Sequence, residues 1–137
     1  MRYKGAVSGT LTNAFNTATF ATKVVDTHGA YSGGVFTAPV SGVYDASAAL
    51  AITASSVVGN SFSIQIVQGG SSSDYVENSI VAFGTTTTYP WKVQADGLFR
   101  MLAGDTLQVK GYSEGSSNSY DSTPGRSSFQ VKRVGNY

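Results

Sequence analysis

The stretch Asp26–Ile52, DTHGAYSGGVFTAPVSGVYDASAALAI, decides the fold. Gly33-Gly34 opens an extended Val35-Phe36, and Ala38-Pro39-Val40-Ser41-Gly42 then supplies a fixed φ at Pro and backbone freedom at Gly, which together are turn chemistry. Beyond that turn Tyr44, Ala46, Ala48, Leu50 and Ile52 recur at every second position, so a strand places all five on one face and Asp45, Ser47 and Thr53 on the other. One face is dry and the other wet. Ala46, Ala48, Ala49, Ala51 and Ala54 are also strong helix formers, and propensity alone would allow a helix from Tyr44 to Val57. Such a helix would carry only Val43, Leu50 and Val57 on a stripe filled in by alanine, too thin a face to bury, and the strand is preferred.

The same periodicity continues outward. Phe62, Ile64 and Ile66 alternate with Ser63, Gln65 and Val67, and Thr106 to Lys110 and Phe129 to Val134 alternate again. Val93, Ala95, Phe99 and Met101 share one parity, with Asp96-Gly97 expected to form a hairpin turn or bulge between them. Arg2 to Val7 is expected to be an edge strand, Phe20 to Val25 and Tyr75 to Phe83 further strands, and Leu11 to Thr19 a loop anchored by Phe15. Thr85 to Thr88 begins an exposed connection, and Ser113 to Ser128, rich in Ser, Gly, Asn, Asp and Pro, is a long loop. About eight short strands and no convincing helix indicate an all-β, antiparallel jelly-roll sandwich in one domain spanning 1–137.

Composition narrows the function classes. Nine Lys+Arg against eight Asp+Glu, with no basic block, argue against nucleic acid as a partner. Charged residues are 12% of the chain, about half the usual quarter, and this hints at a surface that assembles. There are no cysteines, which removes disulfides and thiolate metal sites. No apolar run approaches a membrane span or a signal-peptide core, so no membrane partner is expected and the chain reads as made in the cytoplasm.

Candidate chemistry is sparse. His28, the single histidine, lies two residues from Asp26, and a hydrogen-bonded loop histidine is a better reading than a base or metal ligand. No Gly-x-Ser-x-Gly elbow presents a serine nucleophile, and no enzyme is expected. Asp74, Glu77, Glu114 and Asp121 are hard oxygen ligands of the kind that hold calcium, but solvated surface charge is the preferred reading, and no cofactor is expected. Tyr89, Trp91 and Tyr120 are candidates for partner-contact loops, with core or inter-subunit packing the stronger reading for Trp91. Tyr44, Phe62, Tyr112 and Phe129 are candidates for a subunit interface, because their faces carry apolar surplus.

The ordered set Gly34, Phe36, Thr37, Pro39, Gly42 and Tyr44, followed by Phe62-Ser63-Ile64-Gln65-Ile66, Leu102-Ala103-Gly104-Asp105 and Phe129-Gln130-Val131-Lys132-Arg133-Val134, resembles the signature of the C1q and tumour-necrosis-factor-like jelly rolls. The opening Arg2-Tyr3 and the run Lys23 to His28 resemble the versions of this domain on bacteriophage virion proteins. Gly69-Gly70 stands where that family has Asn-Gly, and Ala46 and Ala48 stand where its animal members carry aromatic residues. The resemblance implies a homotrimer without enzymatic activity, located in the virion. The expected role is capsid decoration, with the major capsid protein as partner, since Met1 with no fibrous trunk before it fits a short independent chain. The alternative is the tip of a tail fibre that binds a host-surface receptor. A secreted ligand-like module is disfavoured by the missing signal peptide.

Overall fold

A computed structural model describes residues 1–53, 60–70, 73–81, 91–114 and 118–136. Its strands, in chain order, are β1 (Arg2–Ser8), β2 (Asn16–Thr17), β3 (Thr19–Val25), β4 (Tyr31–Ser32), β5 (Val35–Thr37), β6 (Gly42–Ile52), β7 (Ser61–Gly69), β8 (Tyr75–Val81), β9 (Trp91–Met101), β10 (Thr106–Ser113) and β11 (Ser128–Gly135). No helix occurs among the described residues. One sheet runs β3-β1-β11-β6-β9 and the other β4-β5-β10-β7-β8, with β2 beside β10, and every pairing is antiparallel.

The alanine-rich run is strand β6, held on both sides. Ala46 lies between Val131 of β11 and Gly97 of β9, and Ala48 between Phe129 and Ala95. Helix propensity loses here because two full ladders and a buried face outweigh a preference worth tenths of a kcal/mol per residue. Tyr44, Ala46, Ala48, Leu50 and Ile52 all point inward and are buried. They meet Phe62, Ile64, Ile66, Leu107 and Val109 from the opposite sheet in one continuous core.

Several expectations are corrected. Asp96-Gly97 is not a turn, since β9 runs straight through it. Gly97 faces inward opposite Ala46, and a Cβ there would come within 2.7 Å of Val76 Cγ1 on β8. The glycine serves close approach of the two sheets, the other common use of glycine in a strand. The Arg2 to Val7 strand is not an edge, because β3 covers its outer side and β11 its inner side. The segment expected to be a loop at Leu11 to Thr19 contributes β2, paired to Lys110 and Gly111. Leu11 is buried, whereas the expected anchor Phe15 is half-buried. The long Ser113 to Ser128 connection returns to the sandwich where Tyr120 bridges to Ile52. Thr85 to Thr88, with Ala82 and Phe83, lies outside the described residues.

The Pro39 turn is tied down from three directions. Tyr44 Oη donates to Val40 O at 2.5 Å, Ala38 N donates to Asp105 O, and Gly104 N donates to Ala38 O. Asp105, itself buried, accepts from Leu102 N at 2.8 Å through its carboxylate. Thus the two turns at this end of the sandwich brace each other.

Candidate functional site

The residues expected at a subunit interface are mostly used up inside one subunit. Phe62 and Phe129 are 0% exposed and Tyr44 3%. Phe129 packs against Phe20 and Tyr31 with ring centroids 5.9 Å apart in both cases. These three have almost no surface left to offer a neighbour, which corrects their assignment. Tyr112 remains half-buried on the outer face of the second sheet, against Phe15 at 5.3 Å.

The aromatic loop candidates divide. Tyr120 is buried, its ring lying over Gly111 beside Leu50, so it is a core residue and not a contact residue. Burial pushes its phenol up to about 12. Trp91 is partly buried against the core with its Nε1 enclosed, opposite Ile52. Tyr89 lies outside the described residues.

The polar candidates are engaged locally. The Asp26 carboxylate accepts from Ala30 N at 3.0 Å, Tyr31 N at 3.1 Å and Tyr3 Oη at 3.3 Å. Partial burial works to raise its pKa, but the Ala30, Tyr31 and His28 amides and the Tyr3 hydroxyl outweigh that and hold it below the ordinary value. His28 Nδ1 shares a hydrogen bond of 2.9 Å with Thr27 Oγ1 on the exposed loop. Glu77 accepts from Gln65 Nε2, Glu114 from Ser61 N, and Asp74 from Tyr75 N. Bonds from the Thr123 side chain and amide hold the Asp121 pKa below its ordinary value, with a smaller contribution from Arg126, which pairs with it at 3.0 Å. Among the described residues no three His, Asp or Glu gather as a metal-binding group.

What the fold leaves open is an apolar surface that residue type and spacing did not single out. Leu98 is 67% exposed and Tyr75 59%. Leu98 stands on the wet parity of β9, in line with Lys92, Gln94, Asp96 and Arg100, and it is the only large apolar residue there. That exception was the available signal. Beside it on β6 the outward side chains Asp45, opposite Leu98, and Ser47 are short and half-buried, whereas Ala49 and Ala51 further along are buried, with Ser127 Oγ accepting from Ala51 N. Asp45 and Ser47 leave a short, low patch with Leu98 at its border. Tyr75 and Val81, both exposed, mark the two ends of edge strand β8.

No protein-family model and no curated protein sequence matches the chain. Solved structures do. The globular domain of zebrafish complement 1qA protein is similar at TM-score 0.65 and 16% identity, covering 99% of this chain and 98% of that one. Murine APRIL is similar at TM-score 0.67 and 12% identity, covering 97% of each chain. The two five-membered sheet paths and the end-to-end match make this chain a C1q/tumour-necrosis-factor-like jelly-roll domain in its fold.

Proposed function

We propose that the protein is a non-catalytic homotrimeric structural module of a bacteriophage particle, acting as a capsid decoration protein. The observation that carries self-association is Leu98, a large apolar side chain two-thirds exposed beside the short Asp45 and Ser47 of β6. An exposed leucine on one sheet, together with an edge strand of the other sheet bearing Tyr75 and Val81, suits a head-to-tail contact that closes into a ring. A charge content of only 12% favours the same reading, since few charges must be desolvated when copies meet. The virion context is supported by the likeness of Arg2-Tyr3 and Lys23 to His28 to phage-borne versions of the domain.

Sedimentation of the purified chain tests the assembly. A species of three times the 14.3 kDa chain mass is expected, and Leu98→Asp should shift it toward the single subunit while leaving the β-type circular dichroism intact. A wild-type chain that stays a single subunit at high concentration refutes the trimer. Add-back of the protein to particles stripped of it tests decoration.

A second reading, a receptor-binding fibre tip, is favoured by the outer face of the second sheet. There Lys110, Gln65 and Glu77 form one row across β10, β7 and β8, and in the next row Tyr112 and Ser79 flank Ser63, which is buried. Such a polar and aromatic surface suits adhesion to a host glycan. Binding to host cells without binding to stripped capsids would select it.

A further inference from the structure

One flank of the sandwich ends in two edge strands, β8 of one sheet and β9 of the other, and an edge strand offers unpaired N–H and C=O groups to any strand that approaches it. The sequence of β8, YVENSIV, sharpens that liability, since Tyr75, Val76, Ile80 and Val81 are strand formers and Glu77 is its only charge. Asn78 interrupts the run. Its register partner is the buried Ile64, and it shares the inward side of β8 with Val76 and Ile80, which pack against the core. Burial gives no reason for an amide on that side. Asn78 itself lies exposed at the flank, where a docking strand would have to enter.

Its hydrogen bonds give the reason. Gln68 N of β7 donates to Asp74 O, so the even-numbered residues of β8 turn their N–H and C=O toward β7, and the odd-numbered ones, Ser79 among them, turn theirs to the free edge. Asn78 Oδ1 accepts from Ser79 N at 2.9 Å, and Asn78 Nδ2 donates to Gln94 O of β9 at 2.8 Å. One amide group therefore occupies an edge donor of β8 and an edge acceptor of β9 at once. Further along β9, Val76 closes on Gly97, and beyond it the buried Gln68 donates Nε2 to Arg100 O at 2.8 Å. At that end of β8, Asp74 Oδ1 takes up the edge amide of Tyr75 at 2.8 Å. The seam is polar at both ends and apolar between them. The two edges of the other flank are blunted differently: β4 has only two residues, and the pairing of β3 with β1 shifts register twice. We infer that Asn78 is a clasp that seals the β8–β9 flank against strand addition, so that a second copy or any other partner meets β8 through the outward side chains of Tyr75, Glu77 and Val81 and not by continuing a sheet. The distinction matters for assembly, because an open edge adds strands without limit, whereas side-chain surfaces can close a ring.

The clasp depends neither on the virion reading nor on the size of the wild-type species. It is tested on the full chain by amide hydrogen exchange and by sedimentation. In the wild type the Ser79 amide should exchange more slowly than that of Glu77, although both face the free edge. Asn78→Val keeps strand propensity and removes both hydrogen bonds. The variant should retain the β-type circular dichroism, exchange its Ser79 amide about tenfold faster in fresh solution, and grow with time into thioflavin-binding species far larger than the wild-type one. The Val76 and Ile80 amides, which face β7, should keep their protection. Glu77→Pro separates strand addition from aggregation of a weakened fold. It removes an edge N–H and leaves the β7 ladder intact, so Asn78→Val combined with Glu77→Pro should return to the wild-type size. Three results would overturn the clasp: a wild-type Ser79 amide that exchanges as fast as that of Glu77, an Asn78→Val chain that stays at the wild-type size, or growth that continues with the proline in place.

Discussion

Gly111→Ala is the most informative single change in the core. Gly111 faces inward from β10, opposite Ile64, and Tyr120 returns from the long connection to lay its ring across it. A Cβ at 111 would collide with Tyr120 Oη and come within 3.1 Å of Tyr120 Cζ and 3.2 Å of Leu50 Cδ1. The tyrosine cannot swing away cheaply, because its backbone bridges to Ile52 and Asp121 N donates to Ala51 O at 2.8 Å. Overpacking of this kind costs about 1–3 kcal/mol, and removing a glycine from a strand recovers about 0.5–1 kcal/mol of backbone entropy. The net expectation is a loss of about 1–2 kcal/mol, several degrees in Tm for a chain of this size. The mechanism names its own rescue. Tyr120→Phe removes the colliding oxygen, so Gly111→Ala should cost about 1 kcal/mol less in that background. Urea unfolding of the four chains of this cycle, at one protein concentration so that assembly contributes equally, measures the coupling. An alanine variant as stable as the parent, or an equal loss in both backgrounds, would refute the packing argument.

Phe129→Ala should cost about 3–5 kcal/mol in urea unfolding, as it empties the junction of Phe20 and Tyr31 within the sandwich. A change below about 1 kcal/mol would mean that the ring is not core. Asp26→Asn bears on pH dependence. The folded pKa of Asp26 lies below the ordinary 3.8, so its stabilisation is complete above that value and drains away as pH falls through the folded value. Below about pH 4 the parent should lose stability more steeply than Asp26→Asn, with a residual slope from Asp121, and parallel curves would contradict the network. Tyr44→Phe breaks the hydroxyl bond to Val40 O, and because Val40 is half-exposed its carbonyl can turn to water. A loss of only about 0.5–1 kcal/mol in thermal unfolding is expected, and a much larger one would mean that the hydroxyl does more than pin the turn.

Alternation along single segments already told which residues turn inward: Tyr44 to Ile52, Phe62 to Ile66, Val93 with Met101, and the closing Phe129 and Val131 were all legible from period two and β-type composition. The Pro39 turn and the Gly104 turn were equally local, since both depend on backbone freedom at a few adjacent residues. Period two, however, says only that two residues share a face, and it is silent on what covers that face. That is why Tyr44, Phe62 and Phe129 looked like interface candidates until the second sheet was seen to cover them. Tyr120 was hidden for the same reason, its inward position depending on a strand some seventy residues away. Asp96-Gly97 carries the residues of a turn, and only the approach of Val76 from the other sheet shows why a glycine belongs in the middle of β9. The apolar slot at one end of the sandwich lay beyond any local reading, because Met1, Ala30, Val40 and Val131 have no sequence relation and meet only when β1, the Pro39 turn and β11 are brought to one end. Local backbone chemistry decides the strands and turns. Burial, edges and sites are properties of pairs of surfaces, and those exist only once the two sheets have closed on each other.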